Sequence, residues 1–316
     1  MHAMRNALKK LLLIVIIGSS VLVAPVCTWC DDGAPAAHRQ FAFAAALFEE
    51  GDYFRAISEF KRLIFYYPDH EELSEEAAYM ICRSYKEARR WQDCINACSH
   101  FETLYPGSNR RDHVRLIKAH AEHQLKEYGD ALSSYGDILK EGIDSSESVH
   151  KALYGSALTM VDMRRWDEAR RTFDRIPPGS DLHRSAVIFA EGLKNIHNLP
   201  RKSPRMAGVF AALLPGAGHL YTERPRDALV AFLLNGAFIW ATMELIEDEN
   251  YVAGGLVGFF ELGWYTGNIY SAVSSAQKYN WKTEHDFIQG LKEKSGAWFY
   301  MDPEAKCPCF MYAMRF

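Results

Sequence analysis

Apolar residues fall into three regimes along this chain: an uncharged run from Leu11 to Val26, a long middle of evenly spaced positions, and nearly continuous apolar stretches after Pro200. The middle is periodic. Aligned on a small residue, four segments place Ala56, Cys94, Ala131 and Ala169 at intervals of 38, 37 and 38 residues. Three residues before each stands an aromatic (Tyr53, Trp91, Tyr128, Trp166), and four after stand Phe60, Cys98, Tyr135 and Phe173. Seven after come Leu63, Phe101, Ile138 and Ile176, and twelve before come the small residues Ala44, Cys82, Ala119 and Ala157. Offsets of three, four and seven lie on one face of a helix, and Pro68 and Pro106 mark where two such helices must stop. The pattern predicts stacked two-helix units over residues 38–199, each burying its apolar stripe only against a neighbour. The small residues let the first helix approach the second. The stretch from His183 to His197, apolar at Ala186, Val187, Phe189, Ala190 and Leu193, is expected to cap the stack. Such a stack presents a groove along its first helices that suits a peptide or a partner helix.

The two ends set a second expectation. Arg5, Lys9 and Lys10 precede the Leu11–Val26 run, the layout of an export signal or N-terminal anchor over residues 1–36. Lipidation of Cys27, cleavage after Ala36 and an uncleaved anchor are all open. Beyond the basic residues Arg201, Lys202 and Arg205, the stretches Ala228–Ile246 and Tyr251–Val273 are 19 and 23 residues long, matching a hydrocarbon core of about 30 Å. The shorter Met206–Tyr221, broken by Pro215-Gly216-Ala217-Gly218, reads as a re-entrant or distorted third segment of a membrane domain over 204–280. With three segments Arg224 and Arg226 fall inside and the acidic turn Glu247-Asp248-Glu249 outside, as positive-inside orientation requires. Asn235, Glu244, Glu261 and Asn268 fall in or near these spans and are expected to face other helices, with Glu261 a proton-carrying or partner-binding group or else bonded to Asn235 or Trp240. Residues 281–316 form a tail with a short amphipathic helix at Asp286–Lys294.

The run Gly51-Asp52-Tyr53-Phe54-Arg55-Ala56-Ile57, followed by Phe60, Leu63 and Tyr67-Pro68, resembles the tetratricopeptide repeats of bacterial envelope proteins. Residues 39–110 are most similar to the BamD family of outer-membrane assembly lipoproteins, which implies a periplasmic platform for protein partners. The motif Pro215-Gly216-Ala217-Gly218-His219-Leu220-Tyr221 resembles the opening of small paired-helix membrane domains. Together these place the chain in an all-α class: a tetratricopeptide-type solenoid followed by a transmembrane hairpin, in the inner membrane with its repeats in the periplasm.

Composition changes little in that picture. A net charge of -4 supplies no basic field for nucleic acid. No phosphate-cradling loop, His-Glu-x-x-His or Gly-x-Ser-x-Gly appears, so neither enzyme chemistry nor a cofactor is expected and the partners are envelope proteins or peptides and the lipid bilayer. His120 and His123, three apart, are placed to line the groove or pack in the core. Of seven cysteines, Cys27 and Cys30 sit at the end of the signal, Cys307 and Cys309 lack further nearby ligands, and Cys82 faces Cys94 and Cys98. Those three are core residues, and in an exported protein Cys82 is placed to form a disulfide with either of the others.

Overall fold

Every second helix of the repeats starts on its aromatic residue. The computed structural model describes residues 33–141 and 147–296; the Leu11–Val26 run, Cys27, Cys30, Cys307 and Cys309 lie outside the described residues. The described residues are helical with no strand, and the chain divides into two compact units, 1–125 and 126–316. This division falls inside the repeat array rather than at the composition change near Pro200.

The first unit holds α1 (Gly33–Glu49), α2 (Tyr53–Tyr66), α3 (Glu71–Glu87), α4 (Trp91–Leu104) and α5 (Arg111–Gln124). Helices α2 and α4 end one residue short of Tyr67-Pro68 and Tyr105-Pro106, as the prolines require. Two apolar clusters hold the unit together. Ala44, Leu47, Phe48, Ala56, Phe60 and Leu63 form the first with Ala77 and Met80, and Cys82, Cys94, Cys98, Phe101, Val114 and Ala121 form the second. Helix α3 touches both α1 and α5.

The second unit holds α6 (Tyr128–Glu141), α7 (Glu147–Asp162), α8 (Trp166–Phe173), α9 (His183–Lys194), a single 3-10 turn at Ile196–Asn198, α10 (Pro204–Leu213), α11 (Ala217–Tyr221), α12 (Pro225–Glu247) and α13 (Tyr251–Ser295). Aromatic rings join α7, α8 and α9: Phe173 stacks on Phe189 at 5.0 Å, and Tyr154 meets Phe173 edge-on at 5.5 Å. The Tyr154 hydroxyl is also hydrogen-bonded to Ser185 Oγ at 2.5 Å. Helix α9 caps this stack, but its far side is not free. Gly192 faces Leu291 of α13 so closely that a Cβ there would lie 2.4 Å from a leucine methyl.

One turn recurs in both units. Gly51, Arg89, Lys126, Arg164, Glu223 and Glu249 all have positive φ, and each stands two residues before a helix start. At Arg89 the N–H donates to the Lys86 carbonyl and the next N–H to the Tyr85 carbonyl, both at 2.9 Å, and the same pair of bonds closes the turns at Gly51, Arg164, Glu223 and Glu249. This is a left-handed C-terminal cap that satisfies two otherwise orphaned carbonyls. Its bond energy offsets the left-handed strain of the five non-glycine residues, so only Gly51 advertises the turn in the sequence.

Helix α13 is 45 residues long and runs without a break through position 280. The expected helix at 286–294 is its last part. The basic segment after Pro200 is pinned along it. Lys202 N–H donates to Asn280 Oδ1 at 2.7 Å, Asn280 Nδ2 donates to the Lys202 carbonyl at 2.9 Å, and Arg201 pairs with Glu284 at 3.1 Å. Further along, Lys292 reaches Asp162 at 3.1 Å and Arg164 reaches Glu284 at 2.7 Å.

Candidate functional site

The aligned repeat positions all point inward. The anchors Ala56, Cys94, Ala131 and Ala169 are buried, as are Phe60, Cys98, Tyr135 and Phe173, so these residues hold helices together and are not available to a partner. Cys82, Cys94 and Cys98 are free, fully buried thiols. Burial, then the neighbouring Cys82 and Cys94 thiols, push the Cys98 thiol well above its ordinary range, so it stays protonated and unreactive.

What the first unit offers a partner lies between its helices. A cleft of about 370 Å³ opens over α3 between the two second helices α2 and α4, lined by Lys61, Ile64, Tyr85, His100, Leu104 and Tyr105 among others. Lys61 Nζ donates to the Tyr85 hydroxyl at 3.1 Å on its rim. On the first-helix side the surface is polar and cross-linked by ions. Arg110 pairs with Glu76 at 2.5 Å, while the buried Arg115 and the half-buried Lys118 share Glu102 at 2.9 and 3.3 Å.

His120 and His123 of α5 pack rather than line a groove. The half-buried His120 ring meets Trp91 edge-on at 5.6 Å, with its Nε2 3.3 Å from Gln124 Nε2, and His123 is buried. Burial, then the charges of Lys86 and His123, push the His120 pKa down to about 3 from 6.5. The unfolded chain then binds this proton more tightly than the folded one, so stability is full above about pH 6.5. It falls as pH drops towards 3, by at most about 1.4 kcal/mol per pH unit. His120→Leu removes that proton; the urea midpoint of the wild type should drop more between pH 7 and pH 4.5 than that of the variant. Equal drops would mean His120 titrates freely in the fold.

In the second unit polarity is inverted. Of the 23 residues of α12 the one buried residue is Asn235, while Leu229, Val230, Phe232, Leu233, Trp240 and Met243 are exposed. The first half of α13 repeats this arrangement: Val252, Leu256, Phe259, Phe260, Leu262 and Trp264 face outward, and Gly254, Glu261 and Asn268, at seven-residue spacing, face inward. Glu244 departs from expectation. It is exposed, because it lies in the last turn before the helix ends at Glu247, where a carboxylate reaches water without an inward partner. The expected bond from Glu261 to Asn235 or Trp240 is also absent. Neither Glu261 oxygen has a hydrogen-bond partner among the described residues, Asn235 Nδ2 donates within its own helix to the Ala231 carbonyl at 2.6 Å, and Trp240 is turned outward.

Two glycines let the short helices close on this hairpin. Gly216 has φ +86°, and a Cβ there would lie 2.2 Å from the Ala228 carbonyl oxygen; one on Gly218 would lie 2.3 Å from the Ala207 carbonyl oxygen. Among the described residues one helix, α12, is long and apolar enough to cross a membrane. The 251–273 stretch is diluted by its inward Glu261 and Asn268 and by its glycines, and α10, with ten residues, reaches only about 15 Å.

No family model matches the chain, and no curated relative does. Among solved structures it is similar to a tetratricopeptide repeat protein from Parabacteroides merdae ATCC 43184, at 15% identity and a TM-score of 0.43, over 81% of this chain and 99% of that one.

Proposed function

We propose that this chain is a non-enzymatic, membrane-attached interaction scaffold of the bacterial cell envelope, with its α10–α13 bundle in the inner membrane and its repeats on the periplasmic side. The inverted polarity of the bundle carries the reading. A helix that buries a lone asparagine and exposes its leucines and phenylalanines is matched to a hydrocarbon surround, since in water such a surface would drive aggregation. The orientation is supported by the export-signal layout at Arg5, Lys9, Lys10 and Leu11–Val26. The repeats supply the partner surface. The cleft over α3, apolar at Ile64, Ile81, Phe101 and Leu104 and edged by Lys61 and His100, fits apolar side chains of a partner helix or peptide that carries acidic flanks.

Two measurements on cells test this. The full chain should stay in the membrane through alkaline carbonate washing, and a photo-crosslinker at Leu104 should capture one or a few envelope proteins that one at the exposed Lys140 does not. Release by carbonate would end the membrane assignment, and equal capture from both positions would end the scaffold one. A second reading, a membrane module with a working intramembrane carboxylate served by a repeat arm, is favoured by one observation: Glu261 is buried with both oxygens unpartnered.

A further inference from the structure

Lysine and arginine are gathered at one end of the α10–α13 bundle. Between Asp227 and Lys278 the sequence holds neither, and the turn at the far end carries Glu247, Asp248 and Glu249, all exposed. At the basic end three cations are committed to the fold. Arg201 pairs with Glu284 at 3.1 Å, Lys202 with Glu223 at 3.0 Å and Arg224 with Asp227 at 2.5 Å. Arg205, Arg226, Lys278 and Lys282 are exposed and have no ion-pair or hydrogen-bond partner among the described residues.

Hydrogen bonds bring these four to one level. Helix α10 enters the bundle and α11 returns, so that the Ser203 N–H, just before Arg205, donates to the Tyr221 hydroxyl at 3.0 Å. Arg224 Nη1 donates to Ser275 Oγ at 2.9 Å, which brings Arg226 beside the part of α13 that leads into Lys278. The Lys202 N–H meets Asn280 midway between Lys278 and Lys282, and Lys202 Nζ lies over the Tyr221 and Tyr279 rings at 5.2 and 5.3 Å. From Ser275 to Lys282 is about 10 Å of helix, so three segments of chain form one collar. Exposed apolar residues border it. Met206 and Val209 follow Arg205, Leu229 and Val230 lie one turn beyond Arg226, Tyr270 stands two turns before Lys278, and Trp281 lies beside Lys282. Apolar surface, then tyrosine and tryptophan, then uncompensated positive charge is the profile of a surface that passes from hydrocarbon into a headgroup layer.

We infer that this collar binds anionic phospholipid headgroups, with Arg205, Arg226, Lys278 and Lys282 on their phosphates. Charge decides the partner. Glu223, Asp227 and Glu284 are taken up by Lys202, Arg224 and Arg201, and only the exposed Asp286, one turn beyond Lys282, stands against the four spare cations. The surface is left net positive. A zwitterionic headgroup brings no net charge to it, whereas an anionic one does. Position excludes the other polyanions: at the border of the apolar surface, an acidic protein would have to displace the headgroups to reach these side chains.

The collar rests on the membrane-attached reading but not on which face of the membrane the repeats occupy. The test uses the full-length protein in phosphatidylcholine vesicles, with spin-labelled phosphatidylglycerol as the probe and spin-labelled phosphatidylcholine as the control. Wild-type protein is expected to hold the anionic probe about tenfold more strongly than the zwitterionic one. Replacing all four cations together, Arg205→Gln, Arg226→Gln, Lys278→Gln and Lys282→Gln, should bring the two probes to parity and leave the thermal midpoint unchanged, since none of the four is paired in the fold. On the wild type alone, raising NaCl should shrink the preference, because added ions screen exposed charge. A wild type without preference, a preference that salt does not move, or a quadruple variant that keeps it overturns the collar. So does inorganic phosphate that displaces the lipid probe better than NaCl of equal ionic strength, which would mark a site for the free anion. Carbonate washing of the same vesicles separates the failures: protein that stays in the membrane without preferring the anionic probe loses the collar alone, and protein that washes off loses the membrane reading.

Discussion

Replacing Phe60 by alanine should lower the stability of the first unit by about 3–5 kcal/mol, a large part of the roughly 5–15 kcal/mol a domain has to lose. Phe60 is fully buried on α2 at the centre of a cluster contributed by α1, α2 and α3, and its ring meets Phe41 at 5.4 Å. Truncation leaves a cavity that Ala44, Ala56 and Ala77 are too short to fill, so the full transfer and cavity costs remain. Hydrogen exchange over α1–α3 of the intact chain reads the effect unit by unit, which matters because repeat stability is a sum of local and neighbour terms. The control is Phe65, five residues on and 76% exposed, whose alanine variant should stay within about 0.5 kcal/mol of wild type. If both variants lose equal protection, the aligned position has no special place in the core.

Gly216→Val should prevent the bundle from assembling. The backbone there is left-handed at φ +86°, which a β-branched residue avoids, and the added Cβ would sit 2.2 Å from the carbonyl oxygen of Ala228, a backbone atom that no rotamer change can move. Strain and overlap act together, and α11 would have to leave the hairpin it closes. The expected readout is loss of the protease-resistant α10–α13 fragment in detergent, while the repeats keep their helical signal. Gly236→Ala is the matched control on α12, where nothing lies within 4 Å of an added Cβ. Resistance equal to wild type in Gly216→Val would show that α11 is not packed as described.

How much of this was legible in the sequence depends on the interaction that fixes each part. The repeat interior was, because a helix face with a fixed period leaves the same positions buried in each unit: the residues aligned with Ala56 and Phe60 are interior in all four. The helix starts at Tyr53, Trp91, Tyr128 and Trp166 follow from the same register. The left-handed turns at Arg89, Lys126 and Arg164 were not, because hydrogen bonds there hold residues that carry no turn signal. Nor was the continuity of α13. Its composition shifts from apolar to polar near position 274, which reads as a domain edge, yet Ala, Gln, Lys and Glu are as helix-forming as what precedes them. The seven-residue spacing of Glu261 and Asn268 places both on one face, whereas the burial of His219 has no such period behind it. Glu244 faces outward because depth along a helix, not its sequence neighbours, decides whether a carboxylate must turn inward.

The unbroken α13 gives the second unit a lever. At 1.5 Å per residue its 45 residues extend about 67 Å. Its first half is one wall of the apolar bundle, and its second half is bolted to the last repeat by Leu291 against Gly192 and by ion pairs to Asp162 and Arg164. Over the 31 residues from Glu261 to Lys292, a few degrees of tilt carried along the helix amount to several ångströms. Whatever loosens or tightens the polar seam between α12 and α13 is thereby delivered, as motion, to the helices that end the repeat stack.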